Sequence, residues 1–297
     1  MMQPTPAPIQ RIASRHAEIG GALAVNRLLP SRHRRMIGAW CFLDHAGPAE
    51  FAPGGGMRVG PHPHIGLQTF TWMIAGEVLH RDSLGHEQIL RPGQVNLMTA
   101  GRGIAHTEES LTDETRLHAA QLWIALPQDQ QNRAPAFEHH PDLPQWPEQG
   151  CVLTLLAGDW GRHHAPTQLH SPLVGLELQC IGGAQLILDL RPDFEYGLMV
   201  LEGSVTIDQE VFKADELAYF GAGRPRLALG LAAGTRVIFV GGLPFAHPIH
   251  MWWNFVAHDR ADIRQAQRDW ENGDARFGEV AGYDGARLTA PTLPPGY

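Results

Sequence analysis

The stretch GPHPHIGLQTFTWMIAGEV, which runs from Gly60 to Val78, joins a histidine pair to an alternating run that ends at a glycine turn. Alternation of this kind predicts a β-strand, in which residues i and i+2 point to the same face. His62 and His64 should therefore face one side, which in a barrel can be the interior. Four residues after His64 the chain has Gln68, a poor ligand for a divalent cation. If the pair binds a metal, the acid of the site must come from elsewhere.

A second spaced pair can supply that acid. The segment AGRGIAHTEES, from Ala100 to Ser110, places His106 and Glu108 two residues apart. Two ligands from each of two neighbouring strands give three imidazoles and one carboxylate, a set that suits Fe, Mn, Ni, Cu or Zn. Such an ion would keep coordination positions open for a substrate or an oxygen species. An isolated histidine pair is usually structural, so it is the second pair that favours a metal centre.

Two parts of the chain share one pattern of alternating residues around a glycine. LQTFTWMIAGEVLHRD alternates on both sides of Gly76, and YGLMVLEGSVTIDQE does the same around Gly203. Each predicts a strand, a tight turn and a return strand, which together form a β-hairpin. This repeat, in a chain with 33 glycines and 23 prolines, predicts an all-β fold of two tandem β-barrels.

The domain boundaries are predicted from this repeat. Residues 1–130 are assigned to a metal-binding barrel, residues 131–150 to a proline-rich connection, and residues 151–297 to a second barrel with a helical tail. Prolines exclude a long helix or a central strand from the connection. In the tail, DRADIRQAQRDWENG predicts a helix that Asp259 caps and Asn272 ends.

The second barrel is predicted to bind no metal. When Gly203 is aligned with Gly76, Asp189 and Arg191 take the places of the two histidines of the first barrel. The ligand set is lost, so this barrel is interpreted as structural, or as a lid or partner surface.

The remaining histidines are not predicted to be ligands. A metal-bound histidine needs a partner for its second ring nitrogen, and His80, His86 or His118 could supply one. An ordinary surface or core position is the simpler interpretation for each of these three. The pairs 139–140 and 163–164 lie in proline-rich or loop segments and are predicted to be solvated.

Composition excludes two classes of partner. The net charge is −8, Lys213 is the only lysine and no basic run occurs, so the chain lacks the charge pattern of nucleic-acid binding. No stretch approaches the ~20 apolar residues of a membrane span, and the N-terminal segment has no signal-peptide core. Three widely spaced cysteines without a CxxC give no disulfide framework. The sequence predicts a cytoplasmic protein without a nucleic-acid or membrane partner.

Four motifs stand in order along the first half of the chain: RRMIGAWCFLDHAGPAEFAPG, HPHIGLQT, AGRGIAHTE and AQLWIALP. In sequence and spacing they resemble the pirin family, over about residues 10 to 130. The second half is similar more loosely, through YGLMVLEGSVTID and GGLPFAHPIHMWWNF. The resemblance implies two tandem cupin barrels of the jelly-roll type, with metal in the N-terminal barrel only.

The resemblance also implies a ligand set, which consists of His62, His64, His106 and Glu108. This is the set already reached from spacing. It would hold one divalent transition metal, which we expect to be Fe(II), with Mn, Ni, Cu or Zn as alternatives. Relatives can carry a glutamate at the position of Gln68, and this chain departs from the family there.

Two functions are implied by the family. Some members oxidatively open flavonols such as quercetin, using a metal and dioxygen, and others are metal-dependent regulators that bind transcription factors. The first makes this chain an oxidoreductase of the quercetin 2,3-dioxygenase type, in which Glu108 accepts the proton of the flavonol 3-hydroxyl. A flat aromatic substrate would need an apolar pocket, for which Phe51, Trp72, Met73 and Trp123 are candidates.

The alternative is a non-enzymatic, metal- or redox-dependent regulator that binds a protein partner. The acidic balance of the chain and the short segment from Arg224 to Arg226 give this alternative little specific support. A metal-dependent isomerase is disfavoured, because no second acid and base face each other in the pattern.

Overall fold

A computed structural model of the chain describes residues 8–19 and 23–297. The strands of the first half are β1 Gln10–Ala13, β2 Arg15–Ile19, β3 Leu23–Leu29, β4 Trp40–Glu50, β5 Arg58–His64, β6 Leu67–Ala75, β7 Val78–Asp82, β8 Glu87–Leu90, β9 Val95–Thr99, β10 Ile104–Ser110, β11 Arg116–Ala125 and β12 Ala136–His140. Those of the second half are β13 Gln145–Glu148, β14 Cys151–Trp160, β15 His163–His164, β16 Leu173–Asp189, β17 Glu195–Glu202, β18 Ser204–Ile207, β19 Glu210–Lys213, β20 Glu216–Phe220, β21 Arg226–Gly242, β22 His250–Trp252 and β23 Phe255–Ala257, followed by helix α1 Arg260–Glu271. The predicted all-β class with one short helix is confirmed.

The described residues form two compact units, each built from separate segments. Unit A contains the described part of residues 17–25, with 46–141 and 245–297, and unit B contains the described part of residues 1–16, with 26–45 and 142–244. This division differs from the predicted boundaries, because the C-terminal tail belongs with the first barrel.

Apolar packing explains where the tail lies. Phe255 of β23 and Ile263 and Trp270 of α1 are buried in one cluster with Ile65 and Ala105 of unit A. The tail thus buries its apolar stripe on the barrel that holds the histidine pairs. No local pattern in the sequence specifies which of two barrels a distant helix will cover.

Unit A contains strands of two antiparallel sheets. One has the strand order β5-β10-β7-β8, and in the other β12, β9, β6 and β11 are neighbours in that order. The predicted hairpin around Gly76 is wrong, since β6 and β7 lie in different sheets. The chain instead turns a corner from one sheet to the other. Gly76 has φ of +85°, and a Cβ there would overlap the carbonyl oxygen of Arg116, so only glycine fits this bend.

Unit B also lacks the hairpin that the sequence predicted for it. Ten of its described strands form one sheet whose main path is β1-β20-β17-β21-β16-β14-β13. The predicted hairpin around Gly203 is also wrong, because β17 and β18 both pair with β21, at different parts of that long strand. The interior of unit B is filled by apolar side chains, among them Tyr196, Phe212 and Phe239.

The proline-rich connection is not strand-free. β12 and β13 lie within it, and each stands at the edge of its sheet, where proline is tolerated. The prediction that this segment holds no central strand is therefore confirmed.

The predicted tail helix is confirmed with its caps. The carboxylate of Asp259 accepts a hydrogen bond from the Ala261 N–H, and Asp262 lies in the first turn. Asn272 is the C-cap, and Gly273 follows with φ of +70°. Of the described helices, none is both long and apolar enough to span a bilayer.

Candidate metal centre

The two spaced histidine motifs lie on adjacent strands. β5 and β10 pair antiparallel, with His106 opposite His62 and Ile104 opposite His64. Since Ile104 and His106 are two residues apart, all three histidines occupy one face of the sheet. The predicted convergence of His62, His64 and His106 is what the structure shows.

The three imidazoles are close enough to share one ion. Their ring centroids are 4.3 Å apart for His62 and His106, 5.0 Å for His64 and His106, and 5.1 Å for His62 and His64. The Nε2 atoms of His64 and His106 are 3.1 Å apart. One ring nitrogen from each histidine lies within 4.8 Å of the other two.

Burial keeps these imidazoles neutral. All three side chains are buried, and desolvation lowers the pKa of His62 to about 4. Burial also places the pKa values of His64 and His106 well below the usual range, with their neighbouring histidines adding to the effect. A neutral imidazole has the lone pair that a metal ligand needs, so this donor set fits a divalent transition metal.

Main-chain carbonyls orient two of the three rings. The Nδ1 atom of His62 is 2.9 Å from the carbonyl oxygen of Gly60, and that of His64 is 3.1 Å from the carbonyl oxygen of Asn254. When each Nδ1 carries the proton and donates it there, the Nε2 lone pair is left for the ion. Asn254, in the turn between β22 and β23, was missed by sequence reasoning, since nothing local links it to the site.

Glu108, two residues after His106 on β10, is not part of this cluster. Its carboxylate is not within the 4.8 Å that joins the three histidines. The pairing of β5 with β10 shifts between His106 and Glu108, so that Glu108 stands opposite Val59. Glu108 therefore stays a predicted ligand.

The surroundings of Glu108 are unusual for a carboxylate. Its side chain has some exposed surface but lies deep in the protein, and burial raises its pKa to about 7. Within the described part of the chain it has no ion-pair or hydrogen-bond partner. Its neighbour Glu109, on the other face of β10, instead forms ion pairs with Arg81 and Arg58.

Gln68 is buried on β6, which belongs to the other sheet from β5 and β10. Its Nε2 donates a hydrogen bond to Thr99 Oγ1 at 2.9 Å, and it shares one face of β6 with Trp72. Of the aromatic pocket candidates, Trp123 contacts a site residue, with its ring 5.2 Å from that of His64. Met73 belongs to an apolar core cluster, against which Phe51 packs.

Two of the other histidines have contacts that the sequence did not predict. His80 is a buried, hydrogen-bonded core residue, as expected, and its Nδ1 atom lies in addition 3.3 Å from that of His106. His139 is not simply solvated, because it is partly covered and hydrogen-bonded to Asn96 at 2.8 Å. The signal for His80 was present, since His80 and Asp82 repeat the two-residue spacing of the other motifs.

The family model described as Pirin matches residues 22–124, and the model described as Pirin C-terminal cupin domain matches residues 175–278. A Pseudomonas aeruginosa protein named "Putative quercetin 2,3-dioxygenase" is 63% identical over 286 residues, which are 96% of this chain and 91% of that protein. The chain belongs to the pirin family. Its two barrels are therefore cupins, as the sequence predicted.

Solved structures of pirins share the fold. A crystal structure of quercetin 2,3-dioxygenase from Acinetobacter baumannii has a TM-score of 0.95 and 50% identity, and the match covers 97% of each chain. A bacterial pirin from Escherichia coli, solved in complex with nickel(II), has a TM-score of 0.65 and 20% identity. That match covers 80% of this chain and 100% of the E. coli chain.

The C-terminal cupin of this pirin has different groups at the aligned positions. Asp189 and Arg191 are exposed and form ion pairs with Arg226 and Asp193. Glu195, aligned with Gln68, is buried and accepts hydrogen bonds from the Gly38 N–H and the Tyr219 hydroxyl.

We expect this pirin to retain one metal ion per chain, because only unit A carries a histidine cluster among the described residues. Elemental analysis of protein that has been saturated with metal and then desalted measures the ratio of bound metal to protein. The double variant His62→Ala/His64→Ala should retain almost none. A full equivalent held by that variant would show a second site and contradict the expectation.

Proposed function

We propose that this pirin is a metal-dependent dioxygenase that opens flavonols such as quercetin. The observation that carries the proposal is the convergence of three buried, neutral imidazoles. Glu108 follows His106 by two residues on the same strand, and burial raises its pKa to about 7. The names of the Pseudomonas and Acinetobacter relatives support the reaction class. The cytoplasm is the location that we expect for it.

Four residues would hold the metal: His62, His64, His106 and Glu108. Three nitrogen donors and one carboxylate suit Fe(II), the ion we favour, and also Mn, Ni, Cu or Zn. When bound, any of these ions would supply Lewis acidity, and the redox-active ones, which do not include Zn, would also supply the one-electron chemistry that a reaction with dioxygen requires.

Glu108 is proposed to accept the proton of the flavonol 3-hydroxyl. In the absence of an ion, burial raises the pKa of Glu108 to about 7, so this carboxylate is more basic than an exposed one. A cation at the three imidazoles would lower this value and keep the carboxylate ionised. Because no described side chain binds Glu108, its carboxylate can turn between the ion and the substrate without breaking a hydrogen bond.

The aromatic ring of the substrate is proposed to lie against Trp123. This side chain is buried and meets His64 edge-on, with an angle of 79° between the rings. Removing a planar apolar molecule from water at such a surface is favourable, and neighbouring apolar atoms would exclude water from the proton transfer.

The test is quercetin consumption by protein loaded anaerobically with Fe(II), Mn(II), Ni(II) or Cu(II) and then exposed to oxygen. We expect absorbance of the flavonol to fall only with loaded protein, and Gln68→Ala to match wild type in metal content. Consumption by none of the loaded forms would refute the dioxygenase proposal and favour the metal-dependent regulator with a protein partner.

A further inference from the structure

A buried polar pair lies directly behind His106. The Nδ1 atom of His80 is 3.3 Å from the Nδ1 atom of His106, and the Nε2 atom of His80 is 3.3 Å from Asp82 Oδ2. β7 and β10 are neighbours, with Asp82 opposite His106 and His80 opposite Glu108. The chain of contacts thus runs from a carboxylate, through one imidazole, to a second imidazole in the metal cluster.

His106 differs from the other two histidines of the cluster in the partner of its Nδ1 atom. His62 and His64 each place Nδ1 against a main-chain carbonyl oxygen, which is always an acceptor. The Nδ1 of His106 faces another imidazole nitrogen, which accepts only when it carries no proton. The orientation of His106 therefore depends on the tautomer of His80.

When Nε2 of His106 is a metal ligand, the tautomer of His106 is fixed, and it fixes the tautomer of His80 in turn. A neutral His106 must then carry its proton on Nδ1 and donate it to the Nδ1 lone pair of His80. His80, also neutral, must carry its own proton on Nε2, which faces Asp82. Each N–H group from His106 to Asp82 then meets an acceptor, and no other pair of neutral tautomers achieves this.

We propose that Asp82 and His80 are positioning residues that hold His106 in the Nδ1–H tautomer, so that its Nε2 lone pair is directed at the metal. The inference rests on the proposed metal centre and deepens it. It concerns how the third imidazole is oriented, not which residues bind the ion.

The pair is held rigidly enough for this role. His80 is buried and stacks on Phe137, with ring centroids 4.4 Å apart and 12° between the planes. Asp82 is buried and accepts hydrogen bonds from the Leu84 N–H at 2.9 Å and the His86 N–H at 3.1 Å. Its carboxylate is therefore anchored before it meets His80.

Asp82 also remains an ionised acceptor. Burial acts to raise its pKa, but hydrogen bonds from His80 and from the His86 main chain outweigh burial and lower it. A carboxylate behind a ligating histidine makes that imidazole a stronger donor, and here the effect is relayed through His80.

Two substitutions of His80 separate orientation from packing. His80→Asn removes the ring but puts an amide oxygen, an acceptor, near the position of Nδ1. His80→Phe keeps a ring that can stack on Phe137 but has no acceptor. We expect His80→Phe to weaken Co(II) binding by roughly 10- to 100-fold and to shift the visible spectrum of the bound ion, while His80→Asn stays near wild type.

A purely structural role for His80 gives the opposite order, with Phe better tolerated than Asn. That order, or Co(II) affinity and spectrum unchanged in His80→Phe, would overturn the inference alone. Chelator competition on the full chain measures the affinity, and thermal unfolding identifies a variant that fails to fold. If wild type itself binds no Co(II), the metal centre and the proposed function fail together.

A second measurement does not depend on substituting the ring. In Zn(II)-loaded protein with isotope-labelled histidine, nitrogen NMR should show His80 protonated at Nε2 and His106 at Nδ1. Asp82→Asn keeps an oxygen for the Leu84 and His86 N–H groups but offers His80 a donor in place of a charged acceptor. We expect roughly 10-fold weaker Co(II) binding in this variant. A His80 protonated at Nδ1 in the wild type would refute the relay.

Discussion

Replacing Glu108 with glutamine is expected to reduce flavonol turnover by about 10²-fold or more, the usual range for a lost general base. The substitution keeps the size of the side chain and one carbonyl oxygen, but removes the charge and the basicity. An amide cannot take the proton of the 3-hydroxyl at neutral pH, so the barrier should rise by about 2.7 kcal/mol. The three histidines remain, so we expect part of the bound metal to be retained.

The matched control is Glu109→Gln on the same strand. Glu109 points to the other face of β10 and is paired with Arg81 and Arg58, so the same chemical change should leave turnover near wild type. Rates are measured at equal metal content, which separates lost basicity from lost metal. A Glu108→Gln enzyme that turns over at the wild-type rate would leave the dioxygenase in place but remove Glu108 as the proton acceptor.

Much of the candidate site could be predicted from the sequence because its information is local. A strand points alternate residues to one face, so His62 and His64 could be expected to face together, and the pairing of β5 with β10 adds His106 to that face. The same holds for the tail helix, whose caps at Asp259 and Asn272 are set by neighbouring residues.

What could not be predicted depends on pairing between distant segments. Alternation around Gly76 and Gly203 gives two strands and a bend, but does not say whether the strands pair with each other or with others. The shift in pairing between β5 and β10, which falls between His106 and Glu108, is equally invisible to a count of residues. The carbonyl of Asn254 reaches His64 across 190 positions of sequence, and only the tertiary fold brings it there.

His106→Ala is expected to reduce metal occupancy by about ten-fold or more, because it removes one of three imidazoles from a site that must dehydrate the ion. A bound metal stabilises the folded chain according to its affinity, so each ten-fold loss should remove about 1.4 kcal/mol of metal-induced stabilisation. The rise in melting temperature on adding metal should therefore shrink in the variant, alongside the occupancy found by elemental analysis.

The control for His106→Ala must also lose a buried imidazole, since a cavity alone lowers stability. His118→Ala meets this need, because His118 is buried on β11 and lies outside the cluster. We expect His118→Ala to lower the melting temperature with and without metal by the same amount, and so to keep the full metal-induced rise. His106→Ala should lose that rise. If His106→Ala kept full occupancy and the full rise, two histidines and a carboxylate would suffice for the ion, and His106 could not be a ligand.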